Sequence, residues 1–128
     1  MAQDPLEVKR RGMLKNLINE MIMEGIKITH ASAEGYEFPY AIGRYRPDAI
    51  GVYPNGQAAV GVVRMGGRDI DSAAGRQQLK DLATRISQKT HKVIPLYIAI
   101  PTSASQELTR ILKEVGLDRK ENIRIRTY

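Results

Sequence analysis

The chain has 128 residues, a length that suits one domain built around a single core. With 42% hydrophobic and 27% charged residues and no low-complexity tract, its composition excludes a chain disordered throughout. Twenty Lys and Arg against 14 Asp and Glu give +6 at pH 7, an excess that suits a polyanionic partner, nucleic acid before an anionic membrane.

The first segment opens with Asp4, Pro5 and Glu7: a carboxylate able to cap a helix, a proline whose missing N–H does no harm there, and an acid in the first turn. Met13, Leu14, Leu17, Ile18, Met21 and Ile22 then recur at helical spacing and Gly25 supplies a stop, which predicts a helix over residues 5–24. Its outer face begins basic, with Lys9, Arg10 and Arg11. In GIKITHA, Ile26 and Ile28 alternate with Lys27 and Thr29 and predict a short half-buried strand, whereas residues 31–43 carry no period that assigns them. The runs YRPDAIGVY and QAAVGVVRM flank Pro54-Asn55-Gly56, where proline presets a turn angle and Asn-Gly accepts positive φ, so this stretch predicts a β-hairpin.

Gly66 and Gly67 close the second hairpin strand, and Asp69, Asp71 or Ser72 can cap the next helix, whose inward stripe is Leu79, Leu82, Ala83 and Ile86. KVIPLYIAIP is nearly all apolar and too short for a helix, which predicts a central strand buried on both faces, with Pro95 near its start. Ser103 or Ser105 caps a third helix with Leu108, Ile111, Leu112 and Val115 inward and Gly116 at its end, and Ile123 and Ile125 alternate with Arg124 and Arg126 in a last strand. The predicted order is α-β-β-β-α-β-α-β over a single domain, residues 1–128: an α/β fold with a mixed sheet, a central hairpin, and helices laid on its faces by right-handed crossovers.

The absence of cysteine excludes disulfides, thiolate metal sites and a cysteine nucleophile, and two histidines make a histidine-rich zinc site improbable. The longest apolar run, Val93 to Pro101, is too short to span a bilayer, and the N-terminus has no apolar stretch behind its charges. A cytoplasmic protein without membrane contact is the expectation.

Pro47-Asp48 at the head of the hairpin and the Gln78-Leu79 pair in the following helix, set in this element order, resemble the PD-(D/E)XK nuclease superfamily, with its restriction-endonuclease-like fold, in the flavour of small archaeal Holliday-junction resolvases. The resemblance runs from about residue 37 to the C-terminus, and the first helix has a counterpart in it. It implies an Asp on the first hairpin strand and an acid-any-Lys triplet on the second, which hold a divalent metal and activate water for phosphodiester hydrolysis. Asp48 matches the first motif. Val62, Val63 and Arg64 stand where the triplet belongs, so the second acid is missing, and Arg64 can clamp phosphate but cannot serve as a base. A substitute acid would be Glu7, since the relatives carry one on their first helix, or Asp69 or Asp71, folding back toward Asp48. Gln78 corresponds to a glutamine that often reaches the active centre of the family; an ordinary polar residue at a helix start is the bland alternative.

Asp48 is the only carboxylate between Phe38 and Arg68, and the expectation is that Arg44, Arg46, Arg64 and Arg68 face it nearly unpaired, with Arg76 close by, as a phosphate-binding site. The competing reading makes Asp48 a salt-bridge partner and the arginines a solvated face. Tyr36, Tyr40, Tyr45 and Tyr53 suit base stacking or plain partial burial, and Met13, Met21 and Met23 suit core filling or the seam of a homodimer. Three functions follow: a nucleic-acid-binding protein, on DNA first, with a degraded metal site; a Mg-dependent endonuclease or resolvase using Asp48 with Glu7 or Asp69; or an assembly protein without catalysis.

Overall fold

The computed structural model of the chain describes residues 4–128. Helix α1 spans Pro5–Met23, and Asp4 caps it by accepting the Leu6 N–H at 3.0 Å. Met13, Leu14, Leu17, Ile18 and Met21 are buried, but Ile22 is 47% and Met23 85% exposed, so the apolar stripe is narrower than its sequence count. Gly25, at φ 92°, releases the chain into strand β1 (Lys27–Ala31), where Ile28 and Ala31 are buried and Lys27 and Thr29 exposed.

Strands β2 (Ala49–Val52) and β3 (Ala58–Val63) form the antiparallel hairpin. Its turn is closed by Tyr53 N–H to the Gln57 carbonyl at 2.8 Å, with Gly56 at φ 89°. Helix α2 (Ala73–Ala83) follows, capped by Ser72 Oγ accepting the Gly75 N–H at 3.0 Å. Strand β4 (Leu96–Ile100) is fully buried, helix α3 spans Ser105–Glu114, and strand β5 (Ile123–Thr127) ends the fold.

The sheet order is β1-β2-β3-β4-β5, with β1, β2 and β3 antiparallel and β3, β4 and β5 parallel. This is a mixed five-stranded α/β sheet flanked by helices, in the expected element order. Leu79, Leu82, Leu108 and Ile111 from α2 and α3 pack on one face against Ile50, Val60, Val62 and Ile98. Helix α1 covers the other, placing Met13, Leu14 and Leu17 against Ala49, Ala59, Val63 and Tyr97. Both crossover helices therefore lie on the same side.

Three local expectations need correction. Ile86 lies beyond the end of α2, where it bridges Val93 and is 58% exposed. The β4 strand begins at Leu96 rather than Val93, because Pro95 has no N–H to give the ladder; its carbonyl still accepts the Val60 N–H at 3.0 Å. Helix α3 has Ala104 at its N-cap and no side-chain cap, because a 3-10 turn over Thr102–Ala104 leads into it through backbone bonds.

Candidate functional site

Asp48 stands just before β2, and the register that sets Ala49 against Gly61 puts it beside Val62. Its backbone is held from both sides: its N–H donates to the Gly61 carbonyl at 2.9 Å and its carbonyl accepts the Ser32 N–H at 2.9 Å. The side chain, 14% exposed, turns over the end of β3. There Oδ2 accepts the Val63 N–H at 2.7 Å and Oδ1 accepts Arg10 Nη2 at 3.0 Å.

Arg10 reaches this point from α1, and its Nη1 donates to the Val63 carbonyl at 3.2 Å. The same nitrogen lies 3.8 Å from Asp69 Oδ2, which accepts the Met65 N–H at 2.8 Å. Arg64 Nη1 donates to the Val63 carbonyl at 2.8 Å and sits 3.6 Å from Asp48 Oδ2. Two carboxylates, two guanidiniums and one carbonyl thus form a single cluster where the N-terminal helix meets the ends of the hairpin strands.

Arg64 is 5% exposed and its Nε is buried without a partner. Burial pushes its pKa below the ordinary value, Asp48 and then Asp69 oppose that shift, and Arg10 adds to it. An arginine still keeps its charge at any physiological pH. The Asp48 carboxylate is therefore what makes a buried cation tolerable here.

A divalent metal would have to compete here with guanidiniums already in place. Magnesium demands several hard oxygens in near-octahedral array, and both Asp48 oxygens already accept hydrogen bonds, from Arg10 and from the Val63 N–H. Among the described residues, no group of three His, Cys, Asp or Glu side chains is placed to hold an ion. Val62, where the acid of the triplet would stand, is 0% exposed in the core shared with α2 and α3.

The other residues singled out from the sequence scatter. Glu7 is exposed and pairs with Arg11 at 3.4 Å. Asp71 joins Arg76, Arg110 and Glu114 in an ion-pair network linking the segment before α2 to α3, so Arg76 is committed at 2.9 and 2.7 Å rather than free. Gln78 is half-buried on α2 with no hydrogen bond into the cluster, while Gln77 bonds Asp81 as its spacing predicts. Arg46 lies over the Phe38 ring at 5.1 Å, and Arg44 lines a shallow depression with Arg85, Asp81 and Thr84. Arg68 is exposed beside Asp69. Of the five arginines expected around Asp48, Arg64 is the one in contact with it, at 3.6 Å from Oδ2, and it is buried and bonded rather than unpaired.

Arg10 is the residue the sequence reading missed. A signal was available, because Arg10 lies four and seven positions before Leu14 and Leu17 and so shares their buried helix face, where an arginine needs a partner.

Beside the cluster, α1 and the loop after β1 enclose a groove of about 710 Å³, within the range of small-ligand sites. Arg11, Lys15, Asn19 and Tyr36 line it above a floor of Leu14, Ile18 and Ala33. Ser32, whose N–H holds Asp48, is also in its wall and joins groove to cluster.

No protein-family model matches the chain, and no curated protein does. Among solved structures the chain is similar to a repair endonuclease from Pyrococcus abyssi, with 16% identity and a TM-score of 0.53, over 100% of this chain and 48% of that one. The chain thus spans about half the length of that structure. At this identity the likeness is one of fold, a nuclease-like α/β architecture.

Proposed function

We propose that the chain is a nucleic-acid-binding protein, acting on DNA first, with a PD-(D/E)XK type of nuclease fold whose metal site is replaced by an arginine-neutralised cluster. The observation that carries this reading is the complete engagement of Asp48 by Arg10, Arg64 and the Val63 N–H. A carboxylate already neutralised by two guanidiniums attracts a dication weakly, so on this reading the fold keeps its surface and loses its chemistry. The repair endonuclease with the same fold, and the net charge of +6, support a nucleic-acid partner.

The cations nearest the cluster that can meet phosphate are Arg11 and Lys15 along the groove and Arg68 next to Asp69. The Glu7–Arg11 pair is exposed on both sides and gives way easily to a phosphate. Tyr36 offers a face for a base. Recognition of this kind positions a backbone without reading sequence.

A salt series with labelled single-stranded and duplex DNA tests the reading. With about three phosphate contacts, affinity should fall about 40-fold for duplex and about 20-fold for single-stranded DNA between 50 and 200 mM salt. Changing Arg11 and Lys15 together to Ala should weaken binding and flatten the slope by about two contacts. No binding at 50 mM salt, or binding indifferent to salt, would favour an assembly role instead. A second reading, a metal-dependent nuclease, draws on one observation: Asp69 approaches the same Arg10 that holds Asp48. Magnesium-dependent cleavage by the native chain, abolished by Asp48→Ala, would select it.

A further inference from the structure

Oxygens from three separate segments converge on one side chain. Asp48 Oδ1 from the head of β2, the Val63 carbonyl from the end of β3 and Asp69 Oδ2 from the turn beyond it lie 3.0, 3.2 and 3.8 Å from the two terminal nitrogens of Arg10. Two carboxylates and a carbonyl around one positive centre are the ligand chemistry of a hard dication. Here the centre is a guanidinium carried in from α1, itself 32% exposed at its side chain.

We propose that Arg10 is the resident cation of this cluster, filling the position between Asp48, Asp69 and the Val63 carbonyl from which a divalent metal is thereby excluded. With Arg64 as the second guanidinium, the cluster is charge-neutral as a group, so a dication gains nothing by entering. Planar donors also match the site better than a sphere would, because one guanidinium can serve the carboxylate and the carbonyl at once. Arg64 cannot take over the position, since it is buried and its Nη1 is already bonded to the Val63 carbonyl. Removing the Arg10 side chain leaves a net negative cluster with Asp48 Oδ1, Asp69 and the carbonyl facing the space it vacated. The proposal concerns the ion balance alone and stands or falls apart from nucleic-acid binding.

The test uses Mn²⁺ as the probe on the full chain, with uptake read from the loss of the free-ion paramagnetic signal and stability read from thermal melting. Native protein should take up no Mn²⁺ at millimolar concentration. Arg10→Ala should melt lower, bind about one ion per chain at least about ten-fold tighter than native, and regain several degrees when the ion is added. Arg10→Met, which keeps the apolar stem on α1, should behave the same way, whereas Arg10→Lys should keep the ion out. Adding Asp48→Asn to Arg10→Ala should abolish uptake. The proposal is overturned if folded Arg10→Ala and Arg10→Met bind no more Mn²⁺ than native, if the Asp48→Asn change leaves uptake intact, or if native protein binds the ion through Asp48. Failure of both variants to fold even with Mn²⁺ present also counts against it, because the ion should replace the missing charge.

Discussion

Arg10 on the first helix and Asp48 at the head of the hairpin, 38 positions apart, are joined by a charge-assisted hydrogen bond of 3.0 Å. The bond fixes the start of α1 over the ends of β2 and β3, at the margin of the core that α1 covers. It also completes the coordination of a carboxylate that a second arginine, Arg64, needs for its own burial.

Removing the Asp48 charge should therefore expose a buried, uncompensated cation. Breaking a buried pair by deleting one partner costs 3–5 kcal/mol in general, and the partial exposure of Arg10 puts Asp48→Ala near the low end, about 3 kcal/mol. Asp48→Asn, which keeps an acceptor for the Val63 N–H, should lose less. Urea unfolding of the two variants measures the difference; equal losses would mean that the charge contributes everything and the hydrogen bond to the Val63 N–H nothing.

A second network should contribute to acid stability. Hydrogen bonds from Arg76 and Arg110 hold the carboxyls of Asp71 and Glu114 below their ordinary values of 3.8 and 4.5. A depressed carboxyl adds stability that is complete above its unfolded value and is lost as pH falls toward the folded one. Melting temperature should thus decline as pH drops below about 4.5, and the decline should be shallower in Arg76→Gln and at high salt. The same acid slope in native protein and variant would place the responsible carboxylates elsewhere.

Much of this architecture was legible because its signals are local. Asp4 and Gly25 bracket α1, Asn55-Gly56 closes the hairpin, and the unbroken apolar run after Pro95 gives the central strand. The site was harder to read, because charge pairing depends on where side chains of distant segments end. Arg44 and Arg46 are neighbours of Asp48 in sequence, yet the Ile42–Tyr45 bridge turns the chain and the Phe38 ring holds Arg46 elsewhere. The true partner came from 38 positions away, and the helical period alone hinted at it.

Two glycines in the hairpin differ in what surrounds them, and their substitution should differ accordingly. A Cβ on Gly51 would collide with the Ile26 side chain and meet the Lys27 backbone carbonyl at 2.8 Å, and a backbone atom in a paired strand cannot step aside. A Cβ on Gly61 would meet Leu17 Cδ2 at 3.1 Å and Met21 Sδ at 3.2 Å, both ends of flexible side chains. Gly51→Ala should cost about 2–3 kcal/mol and Gly61→Ala about 1 or less, as judged by urea midpoints. The reverse order would show that β1 yields more readily than α1.

Val62 supplies the last test, because its position decides whether a second acid fits beside Asp48. Val62 is 0% exposed and packs with Ile50, Leu79 and Ile98, so Val62→Glu buries a carboxyl in apolar surroundings. Ionised, that group would cost on the order of 4 kcal/mol, a large part of a small domain's stability, so it should stay protonated and its pKa should rise. The folded state then holds a proton that the unfolded chain releases, and stability falls as pH rises from the unfolded value of about 4.3 through the raised one. The Val62→Glu variant should accordingly melt higher at pH 5 than at pH 7.5, while the native protein, whose depressed carboxyls titrate below that range, changes little. Adding Arg64→Lys should not rescue it, since Arg64 is already engaged with Val63 and Asp48. A Val62→Glu protein as stable as native at pH 7.5 would mean that this side chain escapes the core, and the case for Val62 as a closed position would be lost.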